Sequence, residues 1–130
     1  MRRLLLDTHA FLWWINNDPA FAPKAKRAIA STKNECYVSA ASCWEIAIKA
    51  SLGKLQLSKS VEPFMTEQLA ENGFTLLPIE LRHAARAEHM PFHHRDPFDR
   101  LLIAQAIAEN LVIVSADSIF LKYGVEILWR

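Results

Sequence analysis

Five short apolar runs punctuate the chain: "RRLLL", "CYVS", "FTLLPI", "LVIVSA" and "VEILW". Segments of helical pattern separate each run from the next. Parallel strands need a crossover of about a dozen residues or more, and a helix is the usual one. Runs that are solidly apolar, rather than alternating, belong to strands covered on both faces. The pattern therefore predicts an α/β fold, with a central, mainly parallel β-sheet flanked by helices on both faces. No repeat, low-complexity tract or linker divides the sequence, and 130 residues suit a single domain, 1–130.

The intervening segments carry their own stop and start signals. Helices are predicted over "HAFLWWIN" and over "NDPAFAPKAKRAIAS", the latter beginning at its Asn/Asp-Pro step. "SAASCWEIAIKASLGKL" reads as a helix of about three turns capped by Gly53, and "SVEPFMTEQLAENG" as one ended by Gly73. "LRHAARAEHM" is helical in pattern, "PFHHR" is a loop, and "DPFDRLLIAQAIAEN" is the strongest helix in the chain. "DSIFLKYG" is a short one.

Composition removes several function classes. At 52% hydrophobic and 22% charged residues, the chain is globular rather than disordered. No apolar run reaches membrane length. The N-terminus begins like a signal peptide, but Asp7 and His9 interrupt it and no small-residue cleavage pattern follows, so a cytoplasmic protein is expected. Cys36 and Cys43 lack metal-site spacing and read as reduced thiols. A net charge of +1 neither demands nor excludes nucleic acid, because a local patch can do what the total does not.

Candidate chemistry lies in the acids. Asp7 follows "LLL" and Asp117 lies three residues after "VIV". In a parallel sheet both reach the carboxyl edge, where functional groups collect. Each also precedes a helical pattern and suits an N-cap. Glu45 shares a predicted helical face with Ala41, Ile48 and Leu52, a costly place for a carboxylate unless paired or bound to a cation. Lys49, four residues on, is its ordinary partner. In "HRDPFDRLL", Asp96 fits the N-cap, Pro97 the first helical position and Asp99 the third. If Asp7, Glu45, Asp99 and Asp117 meet, their repulsion calls for cations, and hard oxygen donors favour Mg²⁺ or Mn²⁺.

Three blocks, "LLLDTHAFLWW", "SAASCWEIAIKASLGKL" and "HRDPFDRLLIAQAIAENLVIVSAD", give the chain a resemblance to PIN-domain ribonucleases of the VapC toxin type. The likeness covers nearly the whole length. It implies a PIN-like fold and the toxin component of a type II toxin–antitoxin pair. The implied activity is endoribonucleolytic: water activated by one or two Mg²⁺ or Mn²⁺ ions cuts RNA, leaving a 5′-phosphate and a 3′-hydroxyl. Asp7, Glu45, Asp99 and Asp117 match the family's acids, as catalytic residues and metal ligands, with Asp117 in a supporting or water-positioning part. Thr8 and Ser115 resemble the small hydroxyl residues that support them, and Asp96 is mainly the helix cap. The resemblance further implies a homodimer and a cognate VapB-type antitoxin that blocks the site. Operator DNA is reached only through that antitoxin.

Arg82, Arg86, Arg95 and Arg100 form a basic stretch with four histidines. Surface ion pairing explains most of it, but Arg95 and Arg100 flank the acids and are candidate RNA contacts. The histidines lack a zinc frame. Trp13, Trp14, Trp44 and Trp129 are expected in the core or at an interface, with one of the adjacent pair facing a partner. Two further readings remain at this point: a PIN nuclease with a housekeeping or structure-specific role, and a non-catalytic interaction module on the same fold.

Overall fold

A computed structural model describes residues 1–130. Its centre is a five-stranded sheet of β1 (Arg3–Leu6), β2 (Glu35–Ser39), β3 (Thr75–Leu77), β4 (Val112–Val114) and β5 (Ile127–Leu128). The strand order is β3-β2-β1-β4-β5, and every pairing is parallel. The sheet thus grows from β1 in both directions. β1 and β4 flank the point where the order reverses, and a parallel sheet opens a crevice there at its carboxyl edge.

Side chains alternate across the sheet as period two requires. Leu4 and Leu6 enter one core cluster and Leu5 the other, all fully buried. The first cluster takes residues from α1 (Thr8–Ile15), α2 (Pro23–Ala30) and α4 (Val61–Asn72). The second is covered by α6 (Pro97–Glu109) and by the 3₁₀ stretch Ser118–Tyr123. α3 (Ala40–Ser51) serves both, through Ile46 on one side and Ala41 on the other. α5 (Leu81–Arg86) runs into a 3₁₀ turn at Ala87–His89 and packs on α6. No helix is long and apolar enough to cross a membrane.

Several boundaries differ from the sequence-based expectation for local reasons. The second helix starts at Pro23, not at Asp18-Pro19. Asp18 instead closes a turn, its carboxylate accepting from Ala20 N and its carbonyl from Phe21 N. That turn drops Phe21 into the core, and Pro23 then occupies the first helical position, where its missing N–H costs nothing. β3 is only three residues long: Phe74 N is spent on closing α4 against Leu69 O, and Pro78 has no N–H to extend the ladder. Gly73, at φ 66°, provides the left-handed cap that makes the closure possible.

All four tryptophans were expected in the core or at an interface. Trp13, Trp14 and Trp129 join one aromatic cluster with Phe21 and Phe74, and Trp14 Nε1 donates to Asn72 Oδ1 at 2.9 Å. Trp13 and Trp14 both pack against this cluster while each stays only partly buried. Trp44 alone is largely exposed. Cys36 and Cys43 are free thiols, and burial pushes Cys36 up to about 11.

One buried polar relay fixes α3 against α6. Ser39 caps α3 by accepting from Ala41 N, and its hydroxyl donates to Gln105 Oε1 at 2.5 Å. Gln105 Nε2 then donates to Pro78 O. Replacing Gln105 by Leu strands the Ser39 hydroxyl and the Pro78 carbonyl in a dry interior. The expected loss is about 2 kcal/mol in urea unfolding, and an unchanged midpoint would remove the relay from the account.

Candidate active site

The carboxyl edge at β1 and β4 holds the acids, and each is placed by the end of an element. Asp7 follows β1 and caps α1, its Oδ1 accepting from Ala10 N at 2.8 Å. Asp117 follows β4 and caps the 3₁₀ stretch, its Oδ1 accepting from Ile119 N at 3.0 Å. Asp96 caps α6 by accepting from both Phe98 N and Asp99 N. Asp99 stands in the first turn of α6, free of capping duty. For Asp7 and Asp117, capping and site placement are thus compatible, since one oxygen caps and the other remains.

Asp7, Asp99 and Asp117 share one electrostatic environment. Burial pushes the Asp99 carboxyl up to about 6, and the charges of Asp96 and Asp7 push the same way. Asp7 is also raised, first by its burial, with Asp117 adding repulsion and the Ser115 hydroxyl opposing it. The Ser115 hydroxyl in turn accepts from Asp117 N at 3.0 Å, tying the end of β4 to the same edge. The donors present fit a divalent cation. Ligand atoms of His94, Asp99 and Asp117 lie within 4.8 Å of one another, and all but one are hard oxygens.

Glu45 is held differently. Its Oε1 accepts from the Thr8 hydroxyl at 2.7 Å, and its Oε2 meets Lys49 Nζ at 2.9 Å. Thr8 Oγ1 also lies 3.0 Å from Ser42 Oγ. The carboxylate is buried with both oxygens engaged, and it stands outside the cluster of His94, Asp99 and Asp117; its partner Thr8 follows Asp7 in the chain. The face predicted for it is only partly apolar: Ala41 is buried, but Leu52 is exposed beyond the end of the helix. Ser42 and Ile46 complete the buried stripe instead.

Arg100 needs a correction. It was a candidate RNA contact, but its side chain is buried and committed. The guanidinium donates to the carbonyls of Ala87, Met90, Pro91 and His94 and to the Tyr123 hydroxyl. The segment before α6 folds back over the helix; Ala87 O also accepts from Met90 N, whereas Met90, Pro91 and His94 offer carbonyls outside any backbone pairing, and the rigid fork of an arginine reaches all four. Arg95 remains exposed, with no carboxylate within ion-pairing distance.

Sequence reasoning set His94 aside with the zinc reading, and it missed both the pairing of His94 with Asp99 and the part of Tyr123. His94 Nε2 lies 2.7 Å from Asp99 Oδ2, and its backbone N–H donates to the Tyr123 hydroxyl at 2.8 Å. Tyr123 donates onward to Pro91 O. The signal available was the placement of a histidine just before "RDPFD", close enough for a turn to fold it over the helix start. His83 was considered for zinc, yet both its nitrogens are used: Nδ1 accepts from Glu80 N, and Nε2 lies 2.9 Å from Glu109 Oε2.

The cap and the neighbouring acid can be separated by mutation. Asp96→Asn retains a capping oxygen and is expected to leave stability within about 0.5 kcal/mol, whereas Asp96→Ala is expected to cost about 1 kcal/mol. Equal losses for the two variants in thermal melts would show that charge, not capping, is what Asp96 contributes.

Comparison with known proteins places the chain in a family. The PIN-domain family model matches residues 4–126. The chain is 34% identical over 118 residues to ribonuclease VapC22 of Mycobacterium tuberculosis, covering 90% of this chain and 88% of that one. Among solved structures, VapBC2 from Rickettsia felis bound to a promoter DNA fragment superposes with a TM-score of 0.73 at 15% identity, covering 98% and 99% of the two chains. DNA-bound VapBC from Salmonella typhimurium gives a TM-score of 0.69 at 18% identity, covering 98% of each chain. Those two likenesses speak for the fold, while the family model and the relative speak for descent. An all-parallel sheet, acids at its β1 and β4 ends and a matching family model over most of its length make this chain a member of the PIN-domain family, related to the VapC ribonucleases.

Proposed function

We propose that this chain, as one domain over residues 1–130, is the toxin of a type II toxin–antitoxin pair and an endoribonuclease dependent on Mg²⁺ or Mn²⁺. The observation that carries the reading is the cluster of His94, Asp99 and Asp117, whose ligand atoms lie within 4.8 Å of one another, with Asp7 at the end of β1 adding to the charge that drives Asp99 up to about 6. Acids crowded in this way are costly to ionise alone, and a bound cation reverses that cost.

Asp7 and Asp117 offer the oxygens that their caps leave free, and Asp99 offers its carboxylate beside them. Glu45, with both oxygens engaged by Thr8 and Lys49, contributes through water rather than directly. A divalent ion, when bound, supplies neutralisation of phosphate charge and a more acidic water. The chain's own residues orient these groups. Thr8 holds Glu45, the Ser115 hydroxyl steadies Asp7 and Asp117, and His94 fixes Asp99. RNA is cut to a 5′-phosphate and a 3′-hydroxyl. The protein works in the cytoplasm as a homodimer, restrained by a VapB-type antitoxin through which operator DNA is reached.

Induction of the chain with and without the adjacent small gene product, followed by sequencing of new RNA 5′ ends, tests the reading. Growth arrest and discrete cuts, both suppressed by the partner and absent in Asp7→Asn, are expected. Cuts that persist in Asp7→Asn would overturn the catalytic assignment. In the purified protein, Mn²⁺ at a hundredfold excess over its dissociation constant should add about 2.7 kcal/mol of stability, and Asp7→Asn should lose most of that gain.

A further inference from the structure

A cavity of about 490 Å³ lies beside the acids rather than among them. Its walls include Trp44, Phe92, Arg95, Pro97 and Leu101, and no carboxylate lines it. Two walls are shared with the site. Trp44 directly precedes Glu45 on α3, and Pro97 sits between Asp96 and Phe98 at the start of α6. The volume falls within the roughly 300–1,000 Å³ typical of small-ligand sites.

The aromatic rings here are exposed yet held. Trp44 is 59% exposed and Phe92 80% exposed, while the other tryptophans are folded into the core cluster or its margin. The Trp44 ring meets Phe98 edge-on, with centroids 5.2 Å apart and planes at 78°. The Arg100 guanidinium lies 4.4 Å from the Phe92 ring centroid. Each ring is thus braced by a neighbour and still open to solvent. Arg95, exposed and unpaired, is the available cation, since the fork of Arg100 is consumed by carbonyls.

We propose that this cavity seats an unpaired base of the RNA strand next to the bond that is cut, with Arg95 on the adjoining phosphate. The inference rests on the ribonuclease reading and deepens it by assigning a nucleotide subsite. Braced aromatic faces beside a lone cation are what single-stranded nucleic acid uses for binding: stacking on the ring and charge on the phosphate. An apolar peptide would use the rings but leave Arg95 without an anion. A second copy docked face to face would set the two Arg95 cations against each other.

The test uses the full chain and a labelled single-stranded RNA containing a mapped cleavage site. Anisotropy in EDTA reads binding, and cleavage with Mn²⁺ reads KM and kcat separately. Trp44→Ala and Phe92→Ala are each expected to weaken binding roughly 5- to 100-fold, with the loss appearing in KM rather than kcat. Arg95→Gln should reduce the slope of log affinity against log salt by about 0.7. Abasic substitution along the RNA should reveal one position whose base matters to the wild type and not to Trp44→Ala. Unchanged RNA affinity in both aromatic variants overturns the proposal. Unchanged affinity with an altered sedimentation state also overturns it, and assigns the surface to a protein contact. If no variant or metal affects cleavage, the ribonuclease reading fails, and the EDTA binding arm still judges the subsite by itself.

Discussion

Asp99→Asn should lower RNA cleavage about a thousandfold while making the metal-free chain more stable at neutral pH. Loss of a carboxylate that helps hold a catalytic cation removes several kcal/mol of transition-state stabilisation, and about 4 kcal/mol corresponds to that factor. The stability gain follows from the shift of Asp99 from 3.8 to about 6. A carboxyl whose folded value exceeds its unfolded value binds its proton more tightly in the folded chain. Its contribution is therefore complete below pH 4 and is lost as pH rises through about 6. By pH 7 the ionised, half-buried Asp99 costs up to about 3 kcal/mol, which Asn does not incur. Thermal melts in EDTA at pH 4, 5, 6 and 7 check this. The wild type should lose stability across that range and Asp99→Asn should lose less. Parallel curves would mean that Asp99 is not the group responsible. The combination matters, because a residue kept only for the fold would lose stability and activity together.

The second large effect is expected at Arg100. Arg100→Met preserves length and apolar volume but removes the donors for four loop carbonyls and for Tyr123. Met90 O loses its one donor, while Ala87 O keeps Met90 N and the Tyr123 hydroxyl remains for Pro91 O and His94 O. One buried carbonyl without a partner costs about 1–3 kcal/mol and each lost charge-assisted bond about 1.5–3, partly offset by water as the loop opens, so about 3–5 kcal/mol is expected in urea unfolding. Amide exchange should quicken between Met90 and Arg95, and cleavage should fall only partly, because His94 loses its fixed position over Asp99. Arg100→Lys should recover little, since one ammonium cannot replace a planar fork. A stability within about 0.5 kcal/mol of wild type would return Arg100 to the list of free surface cations.

The sheet was legible because solid apolar strands and intervening helices admit few arrangements, and the same logic put Asp7 and Asp117 at one edge. Asp96, Pro97 and Asp99 were legible too, because helix starts obey local rules. The rest depended on contacts between distant segments. Arg100 reads as a surface charge until residues 87–94 fold over it. Glu45 reads as a lone acid on an apolar stripe until Thr8, thirty-seven positions earlier, meets it. The start of α2 was misplaced because an Asp-Pro step resembles a helix start as much as a turn, and only the burial of Phe21 decides between them.

Asp7 and Asp117 each spend one oxygen on a cap, and asparagine caps as well as aspartate does. In the genetic code, aspartate becomes asparagine by a single base change. On the proposed function, the chain therefore sits one nucleotide away, at either position, from a copy that keeps its helix caps and lacks one carboxylate of the site. A lineage harmed by the activity can silence it without producing a misfolded product. Such a silent copy would continue to occupy whatever restrains the active form, and so would act on its neighbours as a decoy.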